Sequence, residues 1–170
     1  MIKLYFWWNR EMGKDRRVGV ALDFSDSSKK ALTWAINNLV DKGDSLYVIH
    51  VTNSSGDHDH SGKEDSLLIP LIEFREPNIL KKYGVKIDVD VLDMLDTISR
   101  QKEANVASKL YFGGDAREKL LDAIEELKLD SLVMGSRGQG IVRRILMGSV
   151  SNYVVSHAYC PVTVVKDEDH

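Results

Sequence analysis

Glycines and hydroxyl side chains cluster in residues 132–151, which read LVMGSRGQGIVRRILMGSVS. A short apolar run ends at Gly135, and Gly138, Gly148 and Ser149 follow it. A strand that ends in a glycine-rich loop and leads into a helix presents backbone N–H groups to an anion. Glycine lets a ligand approach the backbone, and the helix N-terminus favours negative charge. The stretch therefore predicts a phosphate-binding site.

The spacing of these glycines matches neither of the two common phosphate-binding motifs. A P-loop requires a lysine and a hydroxyl in the pattern G-x-x-x-x-G-K-[ST], and a dinucleotide fingerprint follows the first strand of its fold. This chain instead has G-x2-G-x9-G-S after a late apolar run. The residues alone therefore leave two interpretations open, a nucleotide site and a set of ordinary turns.

The elements that would position this loop are five short apolar runs that alternate with helical patterns. Apolar runs of this length predict strands that are buried on both faces. The alternation predicts a doubly wound α/β fold, in which a five-stranded parallel sheet of order 3-2-1-4-5 carries helices on both faces. The strands are expected at residues 17–23, 45–51, 105–112, 131–134 and 162–165.

Four helices are predicted between these strands. Asp115 is expected to cap one of them, with Glu118 as its capping-box partner. Pro70 and Pro77 interrupt residues 67–83, where short helical turns are expected instead of one long helix. The four helices are expected to follow residues 24–28 up to about residue 41, to run from Asp88 to Ala104, to run from Asp115 through Leu127, and to occupy most of residues 141–158.

The predicted fold brings two turns together. In a doubly wound sheet the ligand crevice lies at the carboxyl ends of strands 1 and 4, where the direction of winding reverses. Asp23 ends strand 1 and Gly135 directly follows strand 4. This convergence, rather than the glycine spacing, is the main support that the residues give to a binding site.

Composition narrows the classes of function. The chain has 170 residues and a net charge of −3, from 23 Lys and Arg against 26 Asp and Glu. This mild acidity argues against nucleic acid as a partner. No apolar stretch approaches the roughly 18 residues of a membrane-spanning helix. Cys160 is the single cysteine, so no internal disulfide can form, and a reducing compartment is expected, the cytoplasm first and the nucleus second.

One domain is expected at residues 17–166. Residues 2–8, IKLYFWW, are apolar but are not followed by the small-residue cleavage site of a signal peptide. Residues 1–16 are therefore interpreted as an extension ahead of the domain, and residues 167–170 as a charged tail.

Three other sets of side chains are weaker candidates for chemistry. His58, Asp59 and His60 resemble a metal cluster, but neighbouring ligands in a polar loop lack a fixed geometry, so no metal site is predicted. His50 is expected to be a packed, hydrogen-bonded residue of strand 2 rather than a catalytic one. Cys160 is expected to be a small buried residue rather than a nucleophile.

The motif G-x2-G-x9-G-[ST] after VMG, followed by CPVTVVK, resembles the universal stress protein family. The segments VGVALDFSDSSKKAL and GDAREKLLDAIEELKLD are similar too, so the resemblance covers essentially residues 17–166 and is strongest with small single-domain plant members. It implies a Rossmann-like fold of the adenine nucleotide alpha hydrolase type. It also implies binding of ATP or AMP, with Mg²⁺ as an accompanying ion, a homodimer, and a stress-linked role without a well-defined reaction.

The resemblance assigns roles on the nucleoside side of the site. Asp23 would contact the adenosine, and Val51 would meet adenine through its backbone. The base pocket would be lined by Ala21 and Leu22, and the ribose would be bordered by Met134 and Gly135.

On the phosphate side, the resemblance assigns backbone N–H groups and one hydroxyl. Arg137 is a candidate phosphate partner, and a solvated loop arginine is the equal alternative. Ser151 would lie near the phosphates. The residues that cradle them would be Gly138, Gly148, Ser149 and Val150.

Three functions remain open at this point. The first is a nucleotide-dependent regulator, in which binding orders the glycine loop and a partner reads the change. The second is a chaperone-like homo-oligomeric scaffold, because residues 162–165 form an edge strand that can pair with a second copy. The third is a slow ATPase, which requires a base and a pair of metal-binding carboxylates; Asp23 has no second carboxylate at a predictable distance, and no base can be assigned.

Overall fold

Six strands form one sheet in the computed structural model, which describes residues 15–52, 65–86, 88–138 and 147–166. They are β1 (Arg17–Ala21), β2 (Ser45–Thr52), β3 (Ser66–Pro70), β4 (Asn105–Phe112), β5 (Ser131–Gly135) and β6 (Val162–Val165). Their order across the sheet is β3-β4-β2-β1-β5-β6. The five parallel strands confirm the predicted order, because predicted strands 3-2-1-4-5 are β4, β2, β1, β5 and β6.

The sixth strand corrects the prediction of helical turns over residues 67–83 and of a five-stranded sheet. Ser66–Pro70 forms β3, which runs antiparallel to β4. Ile69 is 2% exposed and Leu68 is 47% exposed, the alternation of a half-buried strand. Pro70 is tolerated because it ends a strand at the sheet edge, where its missing N–H is not needed. The expected helical turns begin only after this strand.

Six helices are described: α1 (Asp26–Asn38), α2 (Leu71–Phe74), α3 (Pro77–Lys82), α4 (Val89–Gln101), α5 (Ala116–Glu126) and α6 (Ser149–His157). Ser25 caps α1 by accepting a hydrogen bond from the N–H of Ser28 at 3.3 Å. Asp88 caps α4 in the same way, through the N–H of Val91 at 3.1 Å. Helix α4 ends at Gln101, short of the predicted end at Ala104.

The amino end of α5 corrects a second prediction. Asp115 caps the helix as expected, accepting from the N–H of Arg117 at 2.9 Å. Among the described contacts, Glu118 makes no capping-box bond. Its carboxylate accepts instead from the hydroxyl of Tyr153 at 2.7 Å, so it joins α5 to α6. The predicted helix of residues 141–158 is described only from Ser149 onward.

The core lies on both faces of the sheet. Helices α1 and α4 cover one face, where Leu32 and Leu95 are fully buried against the strands. Helices α5 and α6 cover the other face, where Ala123 and Val154 pack on Leu132. The two layers confirm the predicted helices on both faces.

Charged residues tie the strands together at the amino edge of the sheet. Asp44, only 3% exposed, accepts from the backbone N–H of Arg16 at 2.8 Å and from its guanidinium at 2.7 Å. The N–H of Asp41 also donates to the same carboxylate, at 2.9 Å. Asp130 accepts from the N–H of Arg17 at 2.8 Å. These bonds hold the start of β1 against the elements on either side of it.

Some predictions fall on residues outside the described part of the chain. These are the extension, of which residues 1–14 are not described, the loop containing His58, Asp59 and His60, and the tail at residues 167–170. They stay predictions. Within the described residues, no helix combines the length and the apolar character needed to cross a membrane.

Candidate functional site

The carboxyl edge of the sheet brings the two predicted turns together. Strands β1 and β5 are neighbours, with Val20 opposite Val133, so the turns that follow them lie side by side. A Cβ atom placed on Gly138 would lie 2.8 Å from Oδ2 of Asp23. The glycine turn therefore lies close to the Asp23 carboxylate, which would have to shift if Gly138 carried a side chain.

Hydrogen bonds inside the turn orient Asp23. Its Oδ1 accepts from both the N–H and the hydroxyl of Ser25, and its own N–H donates to Oγ of Ser28 at 3.3 Å. Phe24, the next residue, has a φ of +63°, a left-handed conformation that is costly for a residue with a side chain. The serines that cap α1 thus also shape the site.

Leu22, ahead of Asp23, is held by strand β2. Its N–H donates to the carbonyl oxygen of Ile49 at 2.8 Å, and its carbonyl oxygen lies 2.7 Å from Nδ1 of His50. The His50 ring also meets the Phe24 ring edge-on at 4.9 Å between centroids. Burial lowers the pKa of His50, opposed by the bond to Leu22 and by the charge of Asp23. The prediction of a packed, hydrogen-bonded histidine is confirmed.

The remaining nucleoside-side candidates are strand residues. Ala21 ends β1 opposite Ile49, and Val51 lies near the end of β2 opposite Tyr111. Both are half-buried against the core of the α5 and α6 face. They lie at the same edge as Asp23, Ala21 on the strand that leads into it and Val51 on the neighbouring strand.

Met134, Gly135 and Ser151 serve the packing of the site's walls. Met134 is buried in the core. A Cβ on Gly135 would lie 2.8 Å from the carbonyl carbon of Ser27, so only glycine lets α1 approach β5 this closely. The Ser151 hydroxyl is buried and donates to the carbonyl oxygen of Gly135 at 2.9 Å. This hydroxyl is therefore already engaged within the protein.

The phosphate-side candidates lie at the start of α6. Gly148 is the N-cap of this nine-residue helix and has no side chain to cap it; its own N–H donates to the carbonyl oxygen of Ser136 at 2.7 Å. The N–H groups of Ser149 and Val150 come next and have no acceptor within the helix. Ser149 is an exposed residue.

Two residues beside this helix end extend the donor set. The Ser136 hydroxyl is buried, at 1% residue exposure, and has no hydrogen-bond partner among the described residues. Arg137 is half-buried, and its backbone N–H donates to Oγ of Ser27 at 3.4 Å. Uncharged N–H and O–H donors at a helix N-terminus, with one guanidinium nearby, suit a phosphate group. Residues 139–146, between Gly138 and this helix, lie outside the described residues.

Other chemistry finds less support in the described part of the chain. No group of three or more His, Cys, Asp or Glu side chains there could hold a metal ion. Cys160 is half-buried rather than buried as predicted, and burial raises the pKa of its thiol to about 11, which disfavours the reactive thiolate.

Sequence reasoning missed several residues of this edge. Ser27, Ser28 and Ser136 hold the turns, and His50 holds Leu22. The run of serines after Asp23 is, as a sequence pattern, typical of a helix N-cap alone. A signal for their second task could have come only from contacts between β1, β2 and β5, which no local pattern encodes.

An open sheet wound in both directions, with a glycine turn where the winding reverses, places this chain among the doubly wound α/β proteins. Residues 15–166 match the universal stress protein family. The chain belongs to that family.

Similar curated proteins carry the same family name. The chain is 32% identical to "Universal stress protein PHOS32" of Arabidopsis thaliana over 92% of its own length and 67% of the relative's. It is 32% identical to "Universal stress protein PHOS34" of the same plant, over 92% of its length and 64% of the relative's. The chain thus spans about two thirds of the length of these relatives.

Solved structures share the fold. The universal stress protein UspA from Lactobacillus plantarum matches with a TM-score of 0.62 and 20% identity, over 89% of this chain and 98% of that one. A universal stress protein in complex with cAMP matches with a TM-score of 0.54 and 20% identity, over 88% and 95%. The Archaeoglobus fulgidus protein in complex with dAMP matches with a TM-score of 0.51 and 20% identity, over 90% and 98%.

Proposed function

We propose that this chain binds an adenine nucleotide, ATP or AMP, at the carboxyl edge of its sheet and acts as a nucleotide-dependent regulator in a stress response. The observation that carries the proposal is the contact between Gly138 and Asp23 beside a helix that begins without a side-chain cap. Two relatives of the same fold were solved with cAMP and dAMP. Because the chain spans about two thirds of its curated relatives, the proposal concerns this domain.

The nucleoside would lie over the ends of β1 and β2. The Asp23 carboxylate is oriented by Ser25, and its Oδ2 lies beside the glycine turn. In the bound state this carboxylate would accept from the hydroxyls or the amine of an adenosine. The walls of this part of the site would come from Ala21, Leu22, Val51, Met134 and Gly135.

The phosphates would lie at the start of α6. Gly138, Ser149 and Val150 would supply backbone N–H groups, with the Ser149 hydroxyl and Arg137 as further donors. The Gly148 N–H is already bonded to the Ser136 carbonyl oxygen, so Gly148 would border the phosphates without donating to them. The Ser136 hydroxyl, buried without a partner among the described residues, would donate to the same phosphate oxygens. Ser151 supports the cradle through Gly135 rather than by touching phosphate. For an accompanying Mg²⁺, phosphate oxygens and water would be the main ligands, as is usual for this ion.

Regulation would come from filling this donor set. A phosphate that binds one conformation of this loop and helix more tightly than the others shifts the population toward that conformation. Helix α6 begins at the site and contacts α5 through Tyr153 and Glu118. A change at its first turn would therefore reach the outer layer of helices, where a partner could read it.

Equilibrium binding of labelled ATP and AMP tests the proposal. Wild type should bind saturably, and Gly138→Val should bind at least about tenfold more weakly because the new side chain would displace the Asp23 carboxylate. Gly43→Val is the control for destabilisation away from the site: Gly43 has a left-handed φ of +85°, where valine is strained, and its Cβ would meet an Asp15 oxygen at the same 2.8 Å, but at the opposite edge. Equal affinity of wild type and Gly138→Val would sink the assignment.

We also propose a homodimer formed through β6. This strand lies at the edge of the sheet and pairs with β5 alone among the described strands. Val155 and Tyr159, which precede it, are exposed apolar side chains. A native mass spectrum with and without ATP would give the oligomer size and any retained nucleotide. A client-aggregation assay tests the scaffold alternative. A scaffold should protect the client from aggregation to the same extent with and without nucleotide, and the Gly138→Val variant should protect it equally well.

A further inference from the structure

His50 contacts the residues on both sides of Asp23. Its Nδ1 lies 2.7 Å from the carbonyl oxygen of Leu22, the residue before Asp23. Its ring packs edge-on against the ring of Phe24, the residue after Asp23, at 4.9 Å between centroids. His50 itself belongs to the neighbouring strand β2. One side chain therefore contacts both ends of the turn that carries the carboxylate.

The bond to Leu22 sets the position of the imidazole proton. A carbonyl oxygen can only accept, so Nδ1 must be the donor, and in the neutral ring Nε2 then keeps its lone pair. Burial, which lowers the pKa of His50, favours this neutral form. The histidine thus acts on Leu22 as a fixed N–H donor.

The turn needs such support because its backbone is strained. Phe24 has a φ of +63°, and a non-glycine residue keeps this conformation only where its surroundings hold it. The Leu22 N–H is bonded to Ile49, so with His50 both backbone polar groups of Leu22 are anchored to β2. If the anchor on the carbonyl were lost, Phe24 could relax and the Asp23 carboxylate would move away from Gly138.

We propose that His50 is a positioning residue of the nucleotide site, which holds the Asp23 carboxylate against the glycine turn by anchoring Leu22 and Phe24. The inference rests on the proposed function and deepens it, because it assigns a residue that acts on the nucleoside through Asp23. This role requires the N–H donor at the Nδ1 position. It does not require the histidine to contact the ligand.

Three substitutions separate the donor from the rest of the ring. In His50→Asn the amide nitrogen stands near the place of Nδ1 and can still donate to Leu22, whereas in His50→Gln it stands near the place of Nε2. His50→Phe keeps the ring and removes the donor. We expect ATP to bind about tenfold more weakly to His50→Phe and His50→Gln, and within about threefold of wild type to His50→Asn.

A double-mutant cycle tests whether the effect passes through Asp23. In an Asp23→Ala background, His50→Phe should change ATP affinity by less than about twofold, because the group it positions is gone. Binding of inorganic tripolyphosphate, which has no nucleoside, should be the same in wild type and His50→Phe. The ¹⁵N spectrum of the wild-type ring should show a protonated Nδ1 and an unprotonated Nε2.

His157 offers the matched control, since its Nδ1 also contacts a backbone carbonyl, that of Tyr153 at 2.8 Å. His157→Phe should leave ATP affinity unchanged. If His50→Phe does not fold, the Asn and Gln variants decide. Rescue by Gln instead of Asn, or additive effects in the cycle, would overturn the positioning role while leaving nucleotide binding intact. Failure of the wild type to bind ATP would instead overturn the proposed function and this inference with it.

Discussion

The two edges of the sheet use polar residues in opposite ways. At the amino edge the Asp44 carboxylate is buried and accepts hydrogen bonds from the backbone N–H and guanidinium of Arg16 and from the N–H of Asp41, and Asp130 accepts from Arg17. At the carboxyl edge the first turn of α6 has no side-chain cap, and a buried Ser136 hydroxyl has no partner among the described residues. One edge satisfies its polar groups internally, and the other leaves donors that a ligand can use.

This difference has an energetic meaning. A buried charge stabilises a fold only when its partners compensate for the loss of water, as they do for Asp44. A buried donor or hydroxyl without a partner costs free energy, so a site with open donors is retained at the expense of stability. Substitution of the buried carboxylate at the amino edge should therefore change the free energy of unfolding, whereas substitution of the open donors at the carboxyl edge should change affinity.

The largest effect is expected for Asp44→Ala. Removing this carboxylate leaves the N–H groups of Arg16 and Asp41 without their acceptor, and should lower the free energy of unfolding by about 3 kcal/mol. Asp41→Ala is the control, because Asp41 pairs with the same guanidinium but is 81% exposed and should change stability little. Urea unfolding measures both. Equal losses in the two variants would contradict the contrast between buried and exposed partners.

Gly135→Ala should come next. The new Cβ would meet the backbone of Ser27 at 2.8 Å, which can yield only if α1 shifts, and should cost about 2 kcal/mol of stability. Gly138→Ala would meet only the end of the Asp23 side chain, so it should cost less stability and more ATP affinity. Urea unfolding and ATP titration of the pair give this comparison. A larger stability loss in Gly138→Ala would reverse the assigned roles.

Acid should weaken the amino edge. Burial works to raise the pKa of Asp44, but the hydrogen bonds from Arg16 and from the backbone of Asp41 outweigh it, and the net pKa lies below the ordinary 3.8. A carboxyl with a lowered folded-state pKa contributes stability that is fully present above its unfolded pKa and is lost as pH falls through the folded one. Urea unfolding below about pH 4 should therefore show a shallower pH dependence in Asp44→Asn than in wild type. Identical slopes would contradict it.

The smallest effects distinguish the two serines of α6. Ser151→Ala removes the buried bond to Gly135 and should cost about 1 kcal/mol of stability, with ATP affinity almost unchanged. Ser149→Ala, at an exposed position, should leave stability unchanged and weaken ATP binding by about threefold. Thermal unfolding and ATP titration on the same samples would check both. A loss of affinity in Ser151→Ala alone would place its hydroxyl on the ligand instead.

Much of the fold could be predicted because its signals are local. The parallel strands are short apolar runs, and Asp88 and Asp115 each directly precede the helix that they cap. The order of the five parallel strands is then the one usual for a doubly wound sheet. The convergence of Asp23 and the glycine turn needed no more than this order.

What could not be predicted depends on distant partners. Ser66–Pro70 is a strand because β4, nearly forty residues later in the chain, offers it an edge. Glu118 leaves its expected capping role because Tyr153 lies within reach after folding. The hydroxyl of Ser151 reads as a phosphate ligand by its place in the motif, yet the Gly135 carbonyl claims it across 16 residues of sequence.

Helix α6 is short, and this sets the distance over which nucleotide occupancy can be sensed. Its nine residues span about 14 Å. Ser149 lies at one end and His157, stacked on Tyr153 at 4.0 Å, at the other. Any protein that reads the state of the site from this helix must dock within one helix length of the ligand, so its footprint and the site's rim share the same patch of surface.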